Sequence, residues 1–180
     1  VPELDAFRFA KYAATEGAGV ATGALASGAD VIAALRTATS AMDEAEVPME
    51  DRHLFITPTL LGLVEDMDTT KSKEVLSRFA SITKVPQTRF YSAIELLDGK
   101  TPSEEKGGYK KADGGVELNF EIIHKPATLQ FTKHAVPKVI SPEQNQNADA
   151  WKYGYRNYGL CDTYENKAAG IYVHKKASSS

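Results

Sequence analysis

The apolar period of this chain changes once, near Val85, and that change sets its fold class. Before it, hydrophobic residues recur at helical spacing; after it they alternate. Leu4, Phe7, Lys11 and Ala14 fall at helical intervals in a segment running from Leu4 to about Thr15, opened by Pro2 and Glu3 in its first turn. Ser27 followed by Asp30 is a capping-box variant, and Val31, Leu35, Ala38, Met42 and Ala45 line one face of a second helix that Pro48 ends. His53 to Thr57 reads as a short strand. Thr57 then caps a helix with Pro58 at its first position and Leu60, Leu63, Val64 and Met67 as its apolar stripe. Thr70 to Lys84 is predicted helical around Val75, Leu76 and Phe79. Between the first two helices, Glu16 to Gly28 holds four glycines. Each costs a helix interior about 1 kcal/mol against alanine, so the stretch reads as a loop.

In the alternating half, Val85 to Leu97 reads as a strand ended by the turn Asp98-Gly99, and Lys100 to Gly115 as a long charged loop. In the next strand Val116, Leu118, Phe120 and Ile122 face one way and Glu117, Asn119 and Glu121 the other. A short helix near Pro126 to Lys133 and a strand from Val136 to Ile140 are expected next. Trp151, Tyr153 and Tyr155 then alternate, with Arg156 and Tyr158 beyond them, and Ile171 to Val173 forms a second short strand; together these read as an aromatic hairpin. Helices first and antiparallel strands later make an α+β pattern.

With 180 residues, 42% of them hydrophobic, the chain can bury a substantial core. Its formal charge of −3, with both signs interspersed, argues against a dedicated nucleic-acid binder, which carries a basic stripe. A single cysteine, Cys161, excludes an intrachain disulfide. No apolar run approaches the ~20 residues that span a bilayer. The opening at Val1, directly in a helical pattern, leads us to expect a longer natural protein; Ser178 to Ser180 are left out of the reading.

Motifs of catalysis fail on context. The glycine run from Gly17 to Gly23 follows a helix, not a strand, and has no Gly-Lys-Ser/Thr ending, so it reads as a connector. Two carboxylate clusters invite a metal: Asp43, Glu44, Glu46, Glu50 and Asp51, then Glu65, Asp66 and Asp68. The first lies at a helix C-terminus, where the dipole disfavours negative charge. The second lacks the glycine and closing glutamate of a calcium loop. Both read as solvated surface. His53, His124, His134 and His174 are scattered singly, Cys161 reads as a small half-buried residue, and no serine sits in a nucleophile elbow. Trp151 and its tyrosines lack the basic groove of a base-stacking platform and read as packing residues. No catalytic residue, cofactor or metal is expected.

Several segments in order carry a resemblance: PELDAFRFAKYA (2–13), AMDEAEVPMEDRHLFITP (41–58), KVPQTRFY (84–91), NFEIIHKPA (119–127), NADAWKYGYRNYGL (147–160) and GIYVHK (170–175). This set resembles the major capsid protein of tailed bacteriophages and spans nearly the whole chain. The resemblance implies an α+β fold with an axial domain, a central sheet plus helices, and part of a peripheral domain, the end of a spine helix and a β-hairpin. It divides the chain into 1–28 (spine end and connector), 29–141 (axial), 142–177 (return to the peripheral domain as a β-hairpin) and a tail, 178–180. It implies a non-enzymatic subunit whose partners are other copies of itself in pentamers and hexamers, scaffolding and portal proteins, and packaged double-stranded DNA bound without sequence-specific contact. Membrane is not among the partners. Its location would be the virion, and the host cytoplasm during assembly. Inter-subunit contacts fall to Lys100, Glu104, Glu105, Lys106, Lys110 and Lys111, and peripheral packing to Phe7, Trp151, Tyr153, Tyr155 and Tyr158. The alternatives are the shell protein of a cellular nanocompartment and a small metal-binding hydrolase.

Overall fold

From the N-terminus the chain runs α1 (Pro2–Ala13), β1 (Gly19–Gly23), α2 (Gly28–Glu44), β2 (Arg52–Ile56), α3 (Pro58–Glu65), α4 (Thr70–Leu76) and β3 (Ser81–Lys84). It continues through β4 (Ile94–Leu97), β5 (Gly108–Lys111), β6 (Leu118–His124), β7 (Thr128–Ile140), β8 (Lys152–Thr163) and β9 (Ile171–Lys176). The computed structural model describes residues 2–67, 69–104 and 107–177. Two compact units result: Val1–Thr128 with Thr163–Ser180, and Leu129–Asp162.

Local chemistry starts the helices. The Asp30 amide donates to Ser27 Oγ at 3.2 Å, and the Ser27 amide donates back to the Asp30 carboxylate at 3.0 Å, so two amides lacking helical partners are satisfied together. The hydrogen bonds from Ser27 hold the Asp30 carboxyl below its usual range. Val31, Leu35, Ala38 and Met42 are buried as the periodicity predicts; Ala45 is the exposed C-cap, so the stripe stops one turn early. At α3, Pro58 occupies the first turn as expected, but the Thr57 side chain makes no capping bond. Thr69 and Ser72 form the box that starts α4.

The first unit is built on a five-stranded sheet in the order β1-β9-β6-β2-β3. β6 runs antiparallel to both its neighbours, β2 and β9, while the outer pairs β1–β9 and β2–β3 are parallel. One face packs Leu54, Ile56, Phe120, Ile122 and Tyr172 against α2, α3 and α4. On the other face Phe9 of α1 meets Phe55 edge-on, with ring centroids 5.2 Å apart, and Phe90 at 5.0 Å. Phe55 stands opposite Glu121 in the β2–β6 register, so α1 covers the face that carries Glu121.

Several expectations are corrected. The glycine-rich loop contains β1, an edge strand that glycine makes possible: a Cβ on Gly19 would stand 2.4 Å from Cδ2 of Tyr172 on β9. The helix predicted to Lys84 ends at Leu76, and Ser81–Lys84 joins the sheet as β3, parallel to β2 through the two-helix crossover. The strand predicted from Val85 is reduced to Ile94–Leu97, because Pro86 leads into a 3-10 turn at Gln87–Arg89. The helix expected at Pro126 to Lys133 is a 3-10 turn, Lys125–Ala127, followed by β7, whose Thr, Val, Ile and Phe content favours extended backbone. A hairpin exists, but it joins β8 to β7; Ile171 to Val173, predicted as its second strand, belongs to β9 of the central sheet. β6 is buried at every position, not on one face alone, because it is the middle strand with helices on both sides.

Close packing of α2 on α3 gives a first prediction. A Cβ on buried Gly28 would lie 2.3 Å from the Leu63 carbonyl oxygen and 2.7 Å from Met67 Sδ. Gly28→Ala should therefore destabilise the chain by about 2 kcal/mol, in the range of overpacked cores, despite alanine's higher helix propensity. Urea denaturation checks it; an unchanged or raised midpoint would contradict this packing.

Candidate functional site

The charged segment after β4 is more ordered than its composition suggests. The Asp98 carboxylate accepts the backbone N–H of Lys100 at 2.7 Å, that of Thr101 at 2.8 Å, and the Thr101 hydroxyl at 3.0 Å. Those bonds, the Thr101 amide first, hold its carboxyl below the ordinary range. Gly99 supplies the positive φ, +68°, that the turn requires. The chain then returns as β5, antiparallel to β4, so Gly108–Lys111 is a strand rather than part of a loop. Glu95 and Lys110 stand directly opposite each other, and Lys110 Nζ lies 3.3 Å from Glu95 and 3.7 Å from Glu104. The hydrogen bond to Glu95 raises the lysine's pKa. The structure thus joins Glu104 and Lys110 within one chain. Lys100 sits exposed in the turn and Lys111 exposed at the end of β5. Glu105 and Lys106 lie outside the described residues.

The aromatic residues of the second unit form its most distinctive surface. Gly154 lies beside Lys138 and Gly159 beside Phe131, an order that makes β7 and β8 antiparallel. Trp151, Tyr153, Tyr155 and Tyr158 are all more than half exposed, Tyr153 at 75%. Lys133 Nζ stands 6.0 Å from the Tyr158 ring centroid, at the outer limit of a cation–π contact. In the first unit, Phe7 is exposed on α1.

Buried polar groups were not legible as such. Glu121 has no exposed surface, and neither carboxylate oxygen has a hydrogen-bond partner. Burial pushes its pKa well above the usual carboxylate value. A hint was present in the sequence: Ile123 follows Ile122, breaking the alternation where both faces are covered. Arg52, 2% exposed, donates to Asp43 at 2.7 Å, to the Pro48 carbonyl at 2.9 Å and to the Val47 carbonyl. Buried Asn119 donates to the Gly23 carbonyl at 3.1 Å and pairs with His174 Nδ1 at 3.0 Å, tying the edge strand β1 to the centre. Burial lowers the pKa of His174; burial, with Arg52 second, lowers that of His124.

The sequence's candidate ligands separate. Asp43 serves Arg52, and Glu65 pairs with Lys84 at 3.6 Å; Asp68 lies outside the described residues. His53 Nδ1 meets Ser81 Oγ at 2.7 Å, His134 is exposed on β7, and Cys161 is partly buried. Among the described residues no group of three or more His, Cys, Asp or Glu side chains is placed to hold a metal ion. No helix among them is long and apolar enough to cross a membrane.

No family model and no curated protein matches the chain. Solved structures do. The chain is similar to the capsid structure of the cyanophage P-SCSP1u at a TM-score of 0.60, with 16% identity over 99% of this chain and 61% of that one. It is also similar to a structure from Mycobacterium phage Che8 at 0.58, with 11% identity over 96% of this chain and 58% of that one. The chain has the tailed-phage capsid fold. It spans about three fifths of the length of the solved structures it matches. In this capsid fold the resembling segments fall in quite different settings. NFEIIHKPA holds the central strand β6, GIYVHK its neighbour β9, and NADAWKYGYRNYGL the exposed ribbon.

Proposed function

We propose that the chain is part of a structural subunit of a phage or prophage head. The observation that carries this is a fold likeness extending over essentially the whole chain to a phage capsid. On this reading the protein is not an enzyme. Its copies associate into pentamers and hexamers that close an icosahedral shell around double-stranded DNA, held without base-specific contact, with scaffolding and portal proteins as further partners. Assembly takes place in the host cytoplasm and the product is the virion. The five-stranded sheet with α2, α3 and α4 is the axial domain, α1 the end of the spine, and the β7–β8 ribbon the peripheral return.

The β4–β5 hairpin then sits where axial loops converge. The charges of Lys100, Glu104, Glu105, Lys106, Lys110 and Lys111 suit a head-to-tail ring, with the exposed Lys100 and Lys111 offered to acids of the next copy while Lys110 stays paired to Glu95 and Glu104 of its own chain. The exposed Trp151, Tyr153, Tyr155 and Tyr158 are the apolar area that shell neighbours cover, as aromatic side chains do in interfaces. Expression of the natural full-length protein, with electron microscopy of the product, tests the reading. Closed shells or capsomer sheets are expected; a product that stays monomeric at high concentration overturns it.

A further inference from the structure

β1 is a short strand, GVATG, with no titratable side chain, and its end is fastened from two strands away. The β6–β9 register shifts between Leu118 and Phe120, so Asn119 is an extra residue without a partner across that ladder. Its side chain is used instead. Asn119 Nδ2 donates to the Gly23 carbonyl at 3.1 Å and stands 3.0 Å from His174 Nδ1, with the Lys175 carbonyl at 3.5 Å. Two carbonyl oxygens facing that end of the amide identify it as the nitrogen. His174 Nδ1 must therefore accept, which places the imidazole proton on Nε2. Asn119 and His174 are both buried, and Phe120 stacks on the imidazole at 4.9 Å, fixing the plane of the ring.

We infer that His174 is a proton-operated latch on β1: the neutral ring accepts from Asn119 and the strand is held, whereas the protonated ring releases β1 from the sheet. A proton on Nδ1 would face the Asn119 amide nitrogen, donor against donor, in a buried site. Turning the amide over would satisfy the ring but set Oδ1 against the Gly23 and Lys175 carbonyls, acceptor against acceptor. The Gly23 carbonyl then keeps the longer bond from the Ala177 amide, 3.3 Å. Protonation and the closed arrangement exclude each other. The charges around the ring do not reverse this. Lys175 and Lys176 flank it on β9, Glu117 of β6 is held by Lys176 at 2.8 Å, and Glu121 lies on the other face of the sheet. The buried residues of α2, α3 and α4 are all uncharged. Burial alone lowers the pKa of His174. Because β1 lies between α1 and α2 in the chain, its release loosens the link between those helices. Every contact in the latch lies inside the sheet, whatever covers the outer edge of β1, and none depends on the shell reading.

A histidine with a lowered folded-state pKa holds its strand fully above the ordinary value of 6.5 and loses it as pH falls. Release takes up one proton, so the opening constant of β1 should rise roughly tenfold per pH unit from about 6.5 down to the pKa of the latched ring. Amide hydrogen exchange by NMR, corrected for its intrinsic pH dependence, reads that constant, with β6 amides as the control for global unfolding. The opening of β1 should not respond to low urea, since it exposes little surface, while that of β6 should. His174→Gln keeps an acceptor for Asn119 but cannot titrate, so its β1 opening should be independent of pH; circular dichroism confirms that it is folded. A readout on the unmodified chain needs no variant: the ring nitrogen shifts at neutral pH should show Nδ1 bare and Nε2 protonated. A proton on Nδ1 at neutral pH overturns the latch. So does a β1 opening that always coincides with that of β6, or a pH dependence of β1 that persists in His174→Gln.

Discussion

Replacing Arg52 by Ala is expected to lower stability by about 3 kcal/mol, toward the lower end of the cost of breaking a buried charge pair. The guanidinium is almost wholly buried and holds three acceptors from the end of α2 and the loop after it: the Asp43 carboxylate and the Val47 and Pro48 carbonyls. Asp43 is 44% exposed and recovers water once its partner is gone, which keeps the loss from being larger. Arg52→Lys should recover only a minor part, because an ammonium on a flexible stem cannot reproduce the planar fork. For a chain of this size the alanine variant should melt roughly 6–12 °C lower. His124, opposite Arg52 in the β2–β6 register, gives an independent readout. Burial first and the Arg52 charge second depress its pKa, so the variant should titrate nearer the ordinary imidazole value by NMR. A melting shift below about 2 °C would contradict a stabilising role for Arg52.

Glu121 should make the protein less stable as pH rises, and Glu121→Gln should remove that dependence. Its carboxyl has no hydrogen-bond partner and lies in the core beneath α1, so burial raises the folded-state pKa well above 4.5. An acid with a raised folded pKa is most favourable to folding below the unfolded value. Above about 4.5 the unfolded chain releases its proton while the folded chain retains it, and stability falls until the folded pKa is passed. Within that window the loss is about 1.4 kcal/mol per pH unit for one proton. His124 and His174 act oppositely: their lowered pKa values contribute stability that is lost as pH falls below about 6.5. Both remain in the variant, so the difference between the two proteins isolates Glu121. Glu121→Leu should stabilise at neutral pH by about 2 kcal/mol, since it removes buried polar atoms that find no partner. Parallel pH profiles for wild type and Glu121→Gln, measured by urea denaturation from pH 5 to 8, would show Glu121 to be solvated.

These two residues mark where reading the sequence stopped. Ser27 and Asp30 announced the start of α2 because a capping box is complete within four residues. Asp98-Gly99 announced its turn for the same reason. Nothing local in the sequence marks Arg52 as buried, and Glu121 falls on the polar side of an alternating strand. Their burial depends on which elements lie above and beside them, and those elements are distant in sequence. The aromatic alternation at Trp151, Tyr153 and Tyr155 was legible as a strand; its partner was not. Ile171–Lys176 was the nearest candidate in sequence, yet its buried Ile171, Tyr172 and Val173 suit a strand inside a sheet, and that is where it lies.

The sequence alone determined what local interactions determine: the α+β class, the helix starts, the turn at Asp98-Gly99, and the apolar stripe of α2; on α1 the predicted Phe7, Lys11 and Ala14 are exposed, and Ala6, Ala10, Tyr12 and Ala13 are buried instead. Its ordered segments also carried the resemblance to phage capsid proteins. Tertiary structure decided the pairing of strands, the placement of β6 with helices on both faces, and the use of Gly19 to bring an edge strand against Tyr172. The physical reason is range. Caps and turns close over a few bonds, whereas strand order and two-sided burial arise from contacts between residues far apart in the chain, whose entropy of closure no local pattern records.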